Sequence, residues 1–315
     1  MRGLAPFVSF TILVLILSIS CTSRATQARR LLDQAEVAYQ QGRFDSTIVL
    51  TGRALKLAPG LAEAFNLQGM AYDELGKERD ATDAFSKALE AQPDFSEALE
   101  NRAAAYEKRG DYQSAIHDYS RLIELEPDAI ENYVSRGLVR HRLEQLPEAL
   151  ADFNHVLSQR PDYSDAYIYR ANVYNDLDRL APALKDFETA LRQRPDDLTI
   201  FYFRGLVFED RGDYDLAIRD FSRAIAADSS YASAFEARGD AYGTTGKPDL
   251  ARSDYIRAAE LDPTRADAAA MAGLLLLEQG DRERARRFLS QALTGESYLA
   301  SVSADSVKSW LDRAK

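Results

Sequence analysis

The sequence predicts an all-α fold, a solenoid of about eight stacked helix hairpins closed by a C-terminal capping helix, and three observations predict it. A period of 34 residues runs from Ala62 to Arg265 without one inserted or deleted residue, with weaker copies on both sides. Small residues keep the period at Gly69, Ala103, Gly137, Ala171, Gly205, Gly239 and Gly273, and again at Ala81, Ala115, Ala149, Ala183, Ala217, Ala251 and Ala285. Bulky residues keep it too, with Tyr72, Tyr106, Tyr174, Phe208 and Tyr242 in one register and Phe85, Tyr119, Phe153, Phe187, Phe221 and Tyr255 in another. Small residues at fixed spacing mark helix crossings, where a missing side chain lets two backbones approach, so knob and notch recur together.

Each unit carries two apolar stripes at helical spacing. A turn such as Gly76-Lys77, Gly110-Asp111 or Gly212-Asp213 separates them, and Pro93, Pro127, Pro161, Pro195 or Pro263 closes the unit. Pro147, Pro182 and Pro248 fall in the first turn of the second helix, where the missing N–H costs nothing. One hairpin cannot bury both of its faces, so a continuous core needs at least three.

The set Phe65, Gly69, Tyr72, Ala81, Phe85, Ala88 and Pro93 resembles the tetratricopeptide repeat residue for residue. Seven good copies begin at Ala62, Ser96, Ile130, Ser164, Leu198, Ala232 and Ala266. A degenerate copy over residues 28–61 keeps Gly42, Phe44, Ala54 and Pro59 but has Thr47 and Thr51 where alanine and an aromatic are expected. Ser229 replaces the closing proline of the sixth copy, and Leu276 and Leu289 replace aromatics in the eighth. Terminal repeats are atypical because one face meets water. The resemblance implies a right-handed superhelix, with the good repeats over 62–296 and a cap over 297–315. In the cap Val307, Trp310 and Leu311 share one helical face, and the alternative is a docking tail that carries Trp310, the one tryptophan of the chain.

Ahead of the repeats, Arg2, the apolar run Phe7–Ile19 and the small residues before Cys21 read as a signal peptide over residues 1–20. Cys21 is the one cysteine of the chain, and its placement resembles a bacterial lipobox with Cys21 lipidated, although Ser18 stands where leucine is usual and Leu17 lies one place earlier. Residues 21–27 form a short tether. This implies an exported lipoprotein held close to its membrane, the outer rather than the inner one because Thr22 is not acidic. The alternative is an uncleaved N-terminal anchor. Downstream there is no cysteine, so the body holds together by packing without disulfides.

The chain carries 39 Lys+Arg against 50 Asp+Glu, a net charge of −11, which disfavours nucleic acid as a partner. Five arginines, Arg102, Arg136, Arg170, Arg204 and Arg238, nevertheless recur in register. A phosphate-binding stripe is one reading. The same five repeats carry Asp118, Asp152, Asp186, Asp220 and Asp254, whereas the second has Gln68 with Ala84 and the eighth Ala272 with Phe288. Charges that appear and vanish together favour structural pairs between helices.

In the resembled family the first helices line a concave groove. Carried onto this sequence, its wall is acidic through residues such as Glu131, Asp165 and Glu209, with Val134, Ile168, Tyr169, Tyr202 and Phe203 as an apolar and aromatic patch and Asn101 and Asn172 near its edges. The alternative is that Tyr169 and Phe203 pack against neighbouring helices. The cationic clamp with which some relatives hold acidic tails is absent, so a basic or aromatic protein or peptide segment is the expected partner. A glycan stacked on Tyr169, Tyr202 and Phe203, or recruitment of a wall enzyme, is the alternative. His117, His141 and His155 occupy different repeat places and do not converge. No phosphate loop, nucleophile elbow or zinc-protease motif is present, so the expectation is a scaffold without catalysis, cofactor or metal.

Overall fold

The computed structural model describes residues 24–295 and 299–315; the leader and Cys21 lie outside the described residues. Every regular element among them is a helix, and the chain divides into two compact units between Gln159 and Arg160. The first unit holds α1 (residues 24–40), α2 (Phe44–Leu57), α3 (Ala62–Glu74), α4 (Glu78–Ala91), α5 (Ser96–Lys108), α6 (Tyr112–Leu125), α7 (Ile130–Arg142) and α8 (Leu146–Gln159). The second holds α9 (Ser164–Asp176), α10 (Leu180–Gln193), α11 (Leu198–Asp210), α12 (Tyr214–Ala227), α13 (Ala232–Thr244), α14 (Pro248–Leu261), α15 (Ala266–Gln279), α16 (Arg282–Thr294) and α17 (Ala304–Arg313). No helix among the described residues is long and apolar enough to cross a membrane.

Within each hairpin the small residue of the first helix receives the bulky residue sixteen places later. A Cβ on Gly69 would stand 2.5 Å from the Phe85 ring, one on Gly205 2.5 Å from Phe221 and one on Gly273 2.6 Å from Leu289. Phe85, Phe153, Phe187, Phe221 and Leu289 are all fully buried, so these crossings form the core. Two hairpins carry an alanine at this place, and both Ala103 and Ala171 are fully buried.

Six turns between helices use a glycine in the left-handed region, from Gly42 to Gly280. The fourth and fifth hairpins make the same turn without one. Glu144 at φ 57° and Asp178 at φ 55° take the glycine's place, and the bonds Gln145 N to Arg140 O and Arg179 N to Tyr174 O reproduce those that close the glycine turns. The repeat length thus holds even where the residue is unfavourable. At Ser229, where the closing proline is missing, the Asp228 carboxylate accepts from the Ser230 amide and hydroxyl at 2.8 and 2.6 Å, the same turn that Asp262 makes with Thr264 around Pro263.

The degenerate first hairpin buries Thr47 and Thr51 completely, and their hydroxyls donate to helix carbonyls, Thr51 to Thr47 at 2.8 Å. At the other end Val307 of α17 and Ala314, which caps it, are fully buried, and Trp310 and Leu311 pack against the core of α15 and α16. The helix covers the apolar side that the last hairpin leaves bare.

Each of the five arginines grips the aspartate of its own hairpin with two nitrogens. Arg102 to Asp118 measures 2.7 and 2.8 Å, Arg170 to Asp186 2.7 and 2.8 Å, and Arg238 to Asp254 2.7 and 2.8 Å. Arg136 to Asp152 and Arg204 to Asp220 are built alike. The aspartates are buried and the arginines mostly so. Burial opposes the guanidinium charge of Arg102, Arg170 and Arg238, but the hydrogen bond and charge of the paired aspartate outweigh it, and all three are held above the usual arginine range. Arg102, Arg136 and Arg238 also reach back to Ser86, Ser120 and Ser222 of the preceding hairpin at 3.0, 3.1 and 2.9 Å. The ladder therefore joins hairpin to hairpin as well as helix to helix.

Candidate partner groove

In the second unit the first helices of successive hairpins bring carboxylates and tyrosines to one wall. α11 and α13 lie in contact, and Asp240, Glu236 and Glu209 from these two helices all bear on the Tyr255 phenol. Burial first, then the charges of Asp240 and Asp210, push Glu209 up to about 7. Asp240 is also raised, chiefly by burial and further by Glu236 and Asp267, although the Tyr255 hydroxyl donates to it at 2.6 Å and works the other way. Among the described residues one cation faces the group, Arg265, which is ion-paired with Glu236 and bonded to the Ser233 hydroxyl. The wall thus holds more negative charge than it compensates, in surroundings that disfavour the charge.

Tyr202 stands beside these carboxylates with its ring 5.1 Å from Tyr231, 5.3 Å from Phe203 and 6.0 Å from Phe221. Burial, followed by Tyr202, pushes the Tyr231 phenol up to about 12. Asp267, at the second place of the eighth repeat, accepts from the backbone amides of Ala300, Ser301 and Val302 at 2.9 to 3.1 Å, so the segment ahead of α17 already occupies it.

The first unit has its own lined hollow of about 280 Å³. Glu36, Glu63 and Glu97 surround Tyr39, Met70 and Phe95 there, and Arg29 pairs with Glu63 at 2.9 Å. Asn101 donates to the buried Asn66 at 3.0 Å, which fixes both side chains at the edge of the hollow.

The expected wall residues separate into three groups. Tyr169, Asn172, Tyr202, Phe203 and Glu209 are half-buried on the first helices of the second unit, and Glu131 is exposed in the first. Asp165 is half-buried but bound by Arg194 at 2.6 Å. Val134 and Ile168, read from the sequence as part of an exposed patch, are core residues at 8 % and 5 % exposure. Ile168 packs with Ala183, Leu184 and Phe187, because its place on the helix faces the second helix of its own hairpin. Phe203 packs on the same cluster and Tyr202 on that of Phe221 and Ala237, so only their outer edges are available. Glu236, Asp240, Tyr231 and Arg265 were missed, although Glu236 and Asp240 lie at the fifth and ninth places of their repeat, where the family pattern puts groove residues. Of the histidines, His155 stacks on Tyr133 at 4.0 Å, and among the described residues no group of three or more His, Cys, Asp or Glu is placed to hold a metal ion.

Repeat-family models for the tetratricopeptide repeat match residues 102–173, and residues 66–130, 176–232 and 236–299. The chain belongs to the tetratricopeptide repeat family. No curated protein matches it in sequence. Among solved structures it is similar to a tetratricopeptide repeat protein from Parabacteroides merdae, with TM-score 0.63, 21 % identity, and 80 % of this chain and 98 % of the other covered. It is also similar to the Cut9–Hcn1 hetero-tetramer of the APC/C, with TM-score 0.58, 15 % identity, and 90 % and 55 % covered. A third likeness is MamA from Desulfovibrio magneticus, with TM-score 0.51, 18 % identity, and 54 % and 96 % covered. At these identities the likeness is one of fold. Tetratricopeptide repeat proteins generally mediate protein–protein interactions, and the fold is a typical non-catalytic scaffold.

Proposed function

We propose that this tetratricopeptide repeat protein is a non-enzymatic scaffold whose second unit holds a partner's basic, aromatic-bearing segment against the wall of Glu209, Glu236 and Asp240. The observation that carries the reading is Glu209, a half-buried carboxyl beside Asp240 that has no ion-pair partner among the described residues and whose pKa is pushed up to about 7, by burial first. A lysine or arginine from a partner supplies the missing charge, and the edge of Tyr202 supplies apolar area for an aromatic neighbour. A glycan fits less well, because Phe203, Phe221 and Tyr231 already lie around the Tyr202 ring that would have to stack on a sugar. In this proposal the scaffold is exported and anchored through a lipid on Cys21, at the outer membrane, and serves assembly of the cell envelope.

Two experiments test it. Mass spectrometry of the mature N-terminus is expected to find a lipidated Cys21, and an unmodified cysteine or an intact leader removes the anchor from the proposal. Affinity capture from the native envelope is expected to retain a partner on the wild type and to lose it from Glu209→Gln/Asp240→Asn. Equal retention on both moves the binding surface elsewhere.

A further inference from the structure

The fourth arginine of the ladder is left incomplete. Arg204 holds Asp220 at 2.7 and 2.9 Å like the others, but the place sixteen residues earlier, a serine for Arg102, Arg136 and Arg238, is Glu188 here. Among the described residues Arg204 Nη1 has no acceptor, and Glu188 is exposed without an ion pair. Two hollows of about 420 and 400 Å³ open at this point, and Arg204 and Arg223 line both. Arg219 joins the first and Arg192 the second.

Among the described residues three of these four guanidinium groups have no carboxylate partner. Arg223 lies over the Phe201 ring at 5.3 Å, Arg219 reaches only the Asp215 carbonyl at 3.4 Å, and Arg192 donates to the Thr189 hydroxyl at 2.7 Å. Asp220 is buried and already held twice by Arg204, so Glu188 at the rim is the carboxylate left to oppose an incoming anion. In a chain of net charge −11, that is a local reversal of sign.

We propose that this face of α10 and α12 is an oxyanion site for a phosphate-bearing ligand, with Arg219 and Arg223 as its movable donors and Arg204 Nη1 as its fixed one. Planar forks of N–H donors match the tetrahedral oxygens of phosphate, and the Phe201 ring gives the Arg223 guanidinium a face to rest on while its N–H edge stays free to turn to the ligand. The site is separate from the groove of Glu209 and Asp240 and does not depend on what binds there.

Titration of the full chain with inorganic phosphate, against chloride at matched ionic strength, tests it calorimetrically. Saturable binding is expected, with Arg219→Ala and Arg223→Ala each weakening it about ten-fold, the worth of one hydrogen bond to a charged group. Both arginines are exposed, so unchanged circular dichroism is expected, and Arg204 is left intact because the ladder needs it. Glu188→Gln is expected to tighten binding by removing the opposing charge. Sedimentation with phosphatidic acid vesicles, compared with phosphatidylcholine alone, then assigns the source. Retention that is lost in Arg219→Ala/Arg223→Ala identifies a lipid headgroup, and phosphate binding without retention identifies a soluble phosphate compound. Absence of saturable phosphate binding, wild-type affinity in both arginine variants, or weaker binding by Glu188→Gln overturns the proposal.

Discussion

Arg238→Ala isolates what the ladder contributes. It removes bonds of 2.7 and 2.8 Å to Asp254 and one of 2.9 Å to Ser222, and leaves a carboxylate whose side chain is 7 % exposed without its cation. Breaking a buried pair in this way costs about 3–5 kcal/mol, against under about 1 kcal/mol for an exposed one. A cost of that size lowers protection of the surrounding amides by roughly two to nearly four powers of ten. Because each hairpin contacts only its neighbours, the loss is local, and hydrogen exchange of α13 and α14 reads it better than one global melt. Arg136→Ala serves as the internal comparison. Its aspartate, Asp152, keeps Arg140 at 2.6 Å, so the carboxylate is not orphaned and α7 and α8 lose less protection. In Arg238→Ala/Asp254→Ala no lone charge remains, and the double change costs less than the two single changes summed. Strict additivity, or equal losses in Arg136→Ala and Arg238→Ala, refutes the reasoning.

Three other outcomes follow from packing and charge. Gly205→Ala forces its methyl to within 2.5 Å of Phe221 and is expected to cost about 1–3 kcal/mol by denaturant titration, whereas Gly239→Ala, 3.0 Å from Tyr255, costs less. Glu144→Gly relieves a left-handed residue and raises stability by about 1 kcal/mol, offset in part by the added freedom of glycine when unfolded. Glu209 has a folded pKa above its unfolded one, so the fold is penalised as the unfolded carboxyl ionises; its contribution falls as pH rises from the ordinary carboxylate range to about 7 and is level above. Glu209→Gln is accordingly expected to match the wild type in acid and exceed it at pH above 7, as urea midpoints across pH report.

The period carried most of the fold into view, because a hairpin stack repeats its constraints: Gly69 with Phe85 and Arg102 with Asp118 share one spacing of sixteen. Departures from the period were harder to interpret. Glu144 and Asp178 hide turns that keep their geometry without glycine, and Arg140 joins Asp152 from a place that carries no arginine in the other ladder hairpins. The groove was less legible still. Position rules brought Tyr202 and Glu209 to the wall, but whether a residue such as Ile168 faces outward depends on how deeply the second helix of its hairpin sinks, which a linear pattern does not encode. Glu236 and Asp240 sat at readable places, yet their significance lies in shared burial and in having one already paired arginine between them, both properties of the packed structure.

The most direct test of the groove is the pH dependence of partner affinity. With the captured partner segment, wild-type affinity is predicted to rise as pH increases from roughly 6 to 8, because Glu209 sheds its proton near 7 and then meets a cation, and Glu209→Gln is predicted to bind more weakly with a flat profile. Equal affinity and the same profile in both proteins contradict the assignment of this wall to the partner.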